Sequence, residues 1–209
     1  MSYRHVIGMG ASEDRLEKLI QQRLEPGADK DKVDQRIWDL FGEEWCVMFT
    51  DLSGFSRGVA KFGIIHFLQT IYESERLLIP VIEDHDGILL KAEGDSLLVI
   101  FRNVDKAIQG TLRMHEVLHE YNKDKAPEEQ ILLCVGLGYG KVLRIGDQDV
   151  FGAEVNAASK LGEDTAEPWE ILVTGSVKDK AEVIPGIMFE ELSDAPPGAD
   201  RAYKITISK

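Results

Sequence analysis

The chain has 209 residues, enough for one domain with a core of its own and an added segment. Apolar residues make up 44% and charged residues 29%, the balance of a soluble globular protein, and no apolar run is long enough to span a membrane. The net charge of −13 argues against nucleic acid or an anionic membrane surface as a partner, while leaving room for a small anion held by a few local cations.

In chain order, the start "MSYRHVIGMGASEDR" lacks the basic-then-apolar layout of a secretory leader. Leu16, Leu19, Ile20 and Leu24 then recur at helical spacing over 12–24. Pro26-Gly27 breaks that pattern, and Val33, Ile37, Trp38 and Phe41 mark a second short amphipathic helix. Residues 1–41 read as a helical lead-in to a domain over 42–209. The plainer reading is that it packs on that domain; the sharper one is that it dimerises or regulates. Beyond it, strands are predicted near 45–50, 87–91, 96–101, 131–137, 141–145, 170–174, 187–192 and 202–207. Helices are predicted near 58–82, 104–122, 153–162 and 175–182. Hairpins are expected at "EGD" near 92–95 and at "GYG" near 138–140. This order predicts an α+β fold, a mainly antiparallel sheet with helices over one face. Cys46 and Cys134 both lie in apolar strand-like runs, so buried free thiols and a reducing cytoplasm are expected.

"FTDLSGF", 49–55, carries the first chemical signal: an apolar strand ends in a bare carboxylate, Asp51, followed at once by a small turn. "KAEGDSLLVIF", 91–101, puts Asp95 at a tight turn that opens another apolar strand. If the two strands are neighbours, both carboxylates meet at one edge of the sheet. Two hard oxygen ligands with open coordination positions suit Mg²⁺ or Mn²⁺ completed by substrate phosphates. Gly54 and Gly94 would let backbone N–H groups approach a phosphate. Taken singly, each aspartate also fits an ordinary turn or cap. A third segment, "GLGYGKVLRIGDQDVFGAEVNAASKLGED", carries Asp149, Gly152, Asn156 and Lys160. Asn156 and Lys160 are four apart in a helical stretch and share a face.

Together the segments resemble the catalytic domain of class III nucleotidyl cyclases, the adenylate and guanylate cyclase family. The family pattern of FTD-x-x-GF, K-x-x-GD, a glycine-rich hairpin and D-x-x-G-x-x-VN-x-A-x-R runs here as FTDLSGF, KAEGDSLLVIF, GLGYG and DVFGAEVNAASK, over about 44–207. The resemblance implies a ferredoxin-like sheet and active sites between two domains of a head-to-tail dimer. It implies that Asp51 and Asp95 bind two metal ions, Mg²⁺ or Mn²⁺, with the carbonyl of Leu52 helping one of them. Gly54 and Phe55 would touch the phosphates through their backbone. Lys91 and Asp149 would read the purine, Asn156 would orient the ribose, and Lys160 would take the family arginine's place at the α-phosphate. A lysine donates and an aspartate accepts, which matches adenine at N1 and its amino group; guanine presents the reverse. ATP is therefore the expected substrate and a homodimer the expected assembly, with no nucleic acid or membrane partner.

The sequence departs from the family pattern at two places. Lys160 keeps the arginine's charge but loses its two-pronged hydrogen bonding. The loop before the last strand, "SDAPPGADRAY", has Arg201 as its sole cation where the family has a late lysine. The readings that follow are an active adenylate cyclase, a degenerate cyclase-like domain that binds a nucleotide or a partner, or a cyclase with another nucleotide specificity. "HEVLH", 115–119, is a formal zinc-peptidase pattern. His115 falls inside the stripe formed by Val104, Ile108, Leu112 and Leu118, with His119 at its edge, which reads as packing.

Overall fold

A computed structural model describes residues 10–53 and 62–207. Gly54, Phe55 and the first four residues of the helix predicted over 58–82 lie outside the described residues. Two helices come first, α1 (Ala11–Leu24) and α2 (Lys30–Phe41). Asp29 caps α2 by accepting a hydrogen bond from the Lys32 N–H at 3.1 Å. Leu19, Val33, Ile37 and Phe41 are buried together with Ile145 of the sheet, so this helix pair seats its apolar faces on the domain.

The chain passes directly from α2 into β1 (Gly42–Leu52). There follow α3 (Ile64–Asp84), β2 (Ile88–Glu93), β3 (Ser96–Phe101) and α4 (Val104–Asn122). Next come β4 (Leu133–Ile145), β5 (Asp149–Phe151) and α5 (Ala153–Ser159). Last are β6 (Ile171–Thr174), α6 (Gly175–Lys180), β7 (Ile187–Glu191) and β8 (Ala202–Ile207). The strands form one sheet in the order β2-β3-β1-β4-β6-β8-β7, with β5 paired to β4. Among these pairings only β4 with β6 is parallel. The fold is α+β, as expected.

Helices cover both faces of the sheet, not one. On the first face Met48, Val99, Val135 and Val173 meet Leu78 and Ile82 of α3 and Ile108, Met114 and Leu118 of α4. On the second, Trp45, Val47, Ile100 and Val142 meet Val155 of α5. The glycines predicted to turn a hairpin explain the difference. β4 runs unbroken from Leu133 to Ile145 through "GLGYG". Gly136 and Gly138 fall on one face of it, spaced two apart. A Cβ at Gly136 would stand 2.1 Å from the Ala158 carbonyl oxygen, and one at Gly138 2.3 Å from that of Glu154. The glycines leave a bare strip of strand on which the backbone of α5 rests. The turn comes later, at Gly146 in the left-handed region (φ 60°), and leads into β5. Strand β5 went unpredicted because three residues are too few to show alternation.

Both cysteines are free and buried, and burial pushes the Cys134 thiol up to about 12. No helix among the described residues is long and apolar enough to cross a membrane.

Candidate active site

β1 and β3 are antiparallel neighbours, with Thr50 opposite Leu97. The Leu97 N–H donates to Thr50 Oγ1 at 3.2 Å and pins this end of the pair. Asp51, one residue beyond Thr50, and Asp95, two before Leu97, therefore emerge at the same end of the sheet. Both are partly buried, and each influences the other's protonation. Burial, then the charges of Asp95 and Glu163, push the Asp51 carboxyl up to about 6. Burial also raises Asp95, with Glu163 adding to it. Two partly buried carboxylates, both with raised proton affinity, favour the charge of a divalent cation between them. Among the described residues no group of three or more histidine, cysteine, aspartate or glutamate side chains is placed to hold a metal by itself. The donor set thus fits a hard cation that completes its shell with oxygens from elsewhere, as phosphates provide.

A second pair joins β2 to β5, which are not paired in the sheet. Lys91 Nζ on β2 donates to Asp149 Oδ2 on β5 at 2.7 Å. Asp149 beside it holds the Lys91 ammonium above its usual range. Asp149 Oδ1 also accepts from the Val150 N–H at 3.0 Å, which fixes the carboxylate plane. Each side chain is about one third exposed. They line a cavity of about 160 Å³ floored by Phe49, Leu98, Val150 and Val155. Its polar lining is the Lys91 ammonium, the carboxylates of Asp149, Glu93 and Glu163 and the Ser96 hydroxyl; an apolar floor with the Lys91–Asp149 pair beside it is suited to a flat ring carrying its own donor and acceptor.

Helix α5 supplies the third group. Val155, Ala157 and Ala158 face the sheet, while Asn156 and Lys160 sit on the exposed side one turn apart. Lys160 opens a wide turn, Lys160–Thr165, in which the Ala166 N–H donates to the Leu161 carbonyl at 2.8 Å. Lys160 Nζ is ion-paired with Asp164, and both side chains are more than half exposed. The structure thus gathers Asp51 and Asp95 at one end of the β1–β3 pair, and Lys91 and Asp149 at one cavity. It leaves Asn156 and Lys160 on the open side of the helix beside them. Leu52 ends β1, its side chain buried. Arg201 is committed elsewhere: it donates to Asp179 at 2.7 Å and to the Tyr203 hydroxyl at 3.1 Å. Arg144 pairs with Asp147 at 2.9 Å and lies over Trp45.

Glu163 was not singled out from the sequence. It lines the same cavity as Lys91 and Asp149 and adds its charge to both Asp51 and Asp95. It lies in the wide turn after α5, so helical spacing in the sequence carries no signal for it.

The "HEVLH" residues do not converge on a metal position. His119 stacks on Trp169 with ring centroids 3.9 Å apart, and His115 meets the same ring edge-on at 5.5 Å. Burial, then the neighbouring His119, lowers the His115 imidazole to about 4. His115→Ala should cost about 1–3 kcal/mol of stability by opening a cavity against Trp169. Chemical denaturation would show this, and zinc content should be nil in both proteins; stoichiometric zinc lost in the variant would contradict it.

Among curated proteins, the chain is 25% identical over 175 residues to the serine/threonine-protein kinase pkn2 of Myxococcus xanthus, covering 74% of this chain and 21% of that one. It is 24% identical over 133 residues to putative adenylate cyclase 3 of Rhizobium meliloti, covering 64% and 22%. The chain spans about a fifth of the length of these relatives. Among solved structures, the adenylyl cyclase CyaB of P. aeruginosa superimposes with a TM-score of 0.63 at 20% identity, covering 80% of this chain and 96% of that one. The guanylate cyclase domain of RhGC from Catenaria anguillulae, solved with GTP, gives 0.66 at 18% identity, covering 80% and 98%. These likenesses show the fold and include cyclases of both purines. The family model described as the adenylate and guanylate cyclase catalytic domain matches residues 42–195, about three quarters of the chain, and the chain belongs to that family.

Proposed function

We propose that the chain is an adenylate cyclase that converts ATP to 3′,5′-cyclic AMP and pyrophosphate. The observation that carries this reading is the Lys91–Asp149 pair at 2.7 Å over an apolar cavity. Adenine presents an acceptor at N1 and a donor at its amino group, so it can take the place of the direct contact by accepting from Lys91 and donating to Asp149. Guanine would set donor against Lys91 and acceptor against Asp149, leaving polar groups unpaired in a partly desolvated pocket.

Two divalent cations, Mg²⁺ or Mn²⁺, held by Asp51, Asp95 and the Leu52 carbonyl would supply activation of the ribose 3′-hydroxyl and neutralisation of the triphosphate. The protein's own residues position the reactants. Asn156 orients the ribose, Lys160 offers its ammonium to charge developing at the α-phosphate, and the Gly54-Phe55 backbone meets the phosphates. Asn156 and Lys160 stand on an exposed helix face, which supports a homodimer in which each site takes its metal carboxylates and the Gly54-Phe55 backbone from one protomer and its base, ribose and α-phosphate contacts from the other. Two free buried cysteines support a reducing compartment such as the cytoplasm.

A second reading, a nucleotide-binding regulatory domain without turnover, draws on the ion pairs that occupy Lys160 and Arg201. Mixing two inactive proteins separates the two readings. Asp51→Asn and Lys91→Ala, co-expressed, should recover about a quarter of parental activity. Half the dimers are then mixed, and one of their two sites is intact. No recovery in a demonstrated mixed dimer would contradict shared sites.

A further inference from the structure

Two pieces of backbone carry the proposed cyclase groups, and nothing in their sequence separation keeps them in register. One is the β2–β3 hairpin, which bears Lys91 and Asp95. The other is α5 with its wide terminal turn, which bears Asn156 and Lys160. One side chain joins them. Glu163 Oε1 accepts a hydrogen bond from Ser96 Oγ at 3.0 Å, and Ser96 is the residue after Asp95. Glu163 Oε2 accepts a second from Ser159 Oγ, and Ser159 lies between Asn156 and Lys160. Each carboxylate oxygen thus holds one arm.

The local backbone exists to deliver this side chain. Gly162, next to it, presses against β1 and β4: a Cβ there would come within 2.7 Å of both the Phe49 carbonyl oxygen and the Gly136 N–H. That contact sets the depth of the wide turn. The turn's extra residue then directs Glu163 back toward the hairpin, where a regular helix would continue away from it. Keeping a third carboxylate beside Asp51 and Asp95 is electrostatically unfavourable. A neutral residue would be preferred if the position served packing alone.

Resting on the cyclase reading above, we infer that Glu163 is a positioning residue that clamps the Asn156–Lys160 helix to the Asp95 hairpin through Ser159 and Ser96. In a symmetric dimer Asp95 of one chain serves one site while its Asn156 and Lys160 serve the other. The clamp therefore sets, by symmetry, the spacing between the metal carboxylates and the ribose and phosphate groups in both.

The test is steady-state kinetics at saturating Mn²⁺ on the purified dimer of this chain, with ATP varied and unfolding temperature recorded. Glu163→Ala should lower kcat by about 10–100-fold, the scale of a misplacement near 1 Å, while KM moves less than about threefold. Glu163→Gln keeps one oxygen acceptor and should lose less. Ser159→Ala, which leaves every charge in place, should lower kcat by about 3–10-fold. The Glu163→Ala/Ser159→Ala double variant should be no slower than Glu163→Ala alone, because both act through one clamp. An unchanged kcat in Glu163→Ala overturns the inference while leaving the cyclase reading intact. So do losses that multiply independently in the double variant. A parent that cyclises no triphosphate overturns both.

Discussion

Asp51→Asn should abolish cyclisation, by at least about 10³-fold, and at the same time stabilise the metal-free protein. The two effects share one cause. Asp51 and Asp95 are held together at the end of β1 and β3, partly out of water and beside Glu163. That crowding raises the Asp51 carboxyl from its ordinary value to about 6. The folded protein therefore binds this proton more tightly than the unfolded chain does. The stabilisation is complete below about pH 4 and is lost as pH rises through about 6. At pH 7.5 the parent carries the full repulsion and the variant does not. The difference, discounted for solvent around a partly exposed group, is about 1 kcal/mol in favour of Asp51→Asn. Between pH 4 and 5 it should shrink toward zero. Denaturant titrations of both proteins in chelator, at the two pH values, would read it directly. Added Mn²⁺ should reverse the order by stabilising the parent alone. A variant that is active, or less stable than the parent at pH 7.5 in chelator, would contradict the assignment.

Lys160→Ala should lower turnover by about 10²–10³-fold, the usual loss when a donor to a developing oxyanion is removed. The ion pair with Asp164 does not stand against this. Both side chains are more than half exposed, and an exposed pair of that kind contributes roughly 0–1 kcal/mol. Exchanging Asp164 for a phosphate oxygen is therefore a small barrier to recruiting Lys160. Lys160→Arg should raise turnover, because a guanidinium can make paired contacts that an ammonium cannot. Binding of a non-cyclisable ATP analogue should change less than turnover in Lys160→Ala, since the contact matters most in the transition state. Stopped assays on the purified dimer, with analogue binding by calorimetry, would separate the two. Equal turnover in parent and Lys160→Ala would mean that the α-phosphate is met by another group.

The parts of this chain that were legible in the sequence are those whose side chains declare their surroundings. The stretches around Cys46–Phe49 and Leu97–Phe101 are apolar on both faces because the sheet is covered on both, and they fall on β1 and β3. "EGD" turns where Gly94 takes a positive φ of 61°. Glycine is less legible, because it marks a turn and a close approach with the same letter. "GLGYG" was read as a hairpin and is a strand cleared for α5, a contact that only the folded partner reveals. Glu163 was passed over for a related reason. Its meaning comes from two serines 67 and 4 residues away, and the wide turn that aims it has no periodic signature. Asp51 and Asp95 stand out in the sequence because each sits at a strand end, where a carboxylate contrasts with an apolar run, and the pairing of β1 with β3 brings them to the same end of the sheet.

The most direct test of the central claim is a product assay on the purified protein. Each of the four nucleoside triphosphates is incubated with Mn²⁺, or with Mg²⁺, and cyclic products are identified by mass. The Lys91–Asp149 pair predicts 3′,5′-cyclic AMP and pyrophosphate in equal amounts from ATP, with GTP slower by about 10²-fold or more. Cyclic GMP as the main product would overturn the reading of that pair, and no cyclic product from any triphosphate would overturn the assignment as an enzyme.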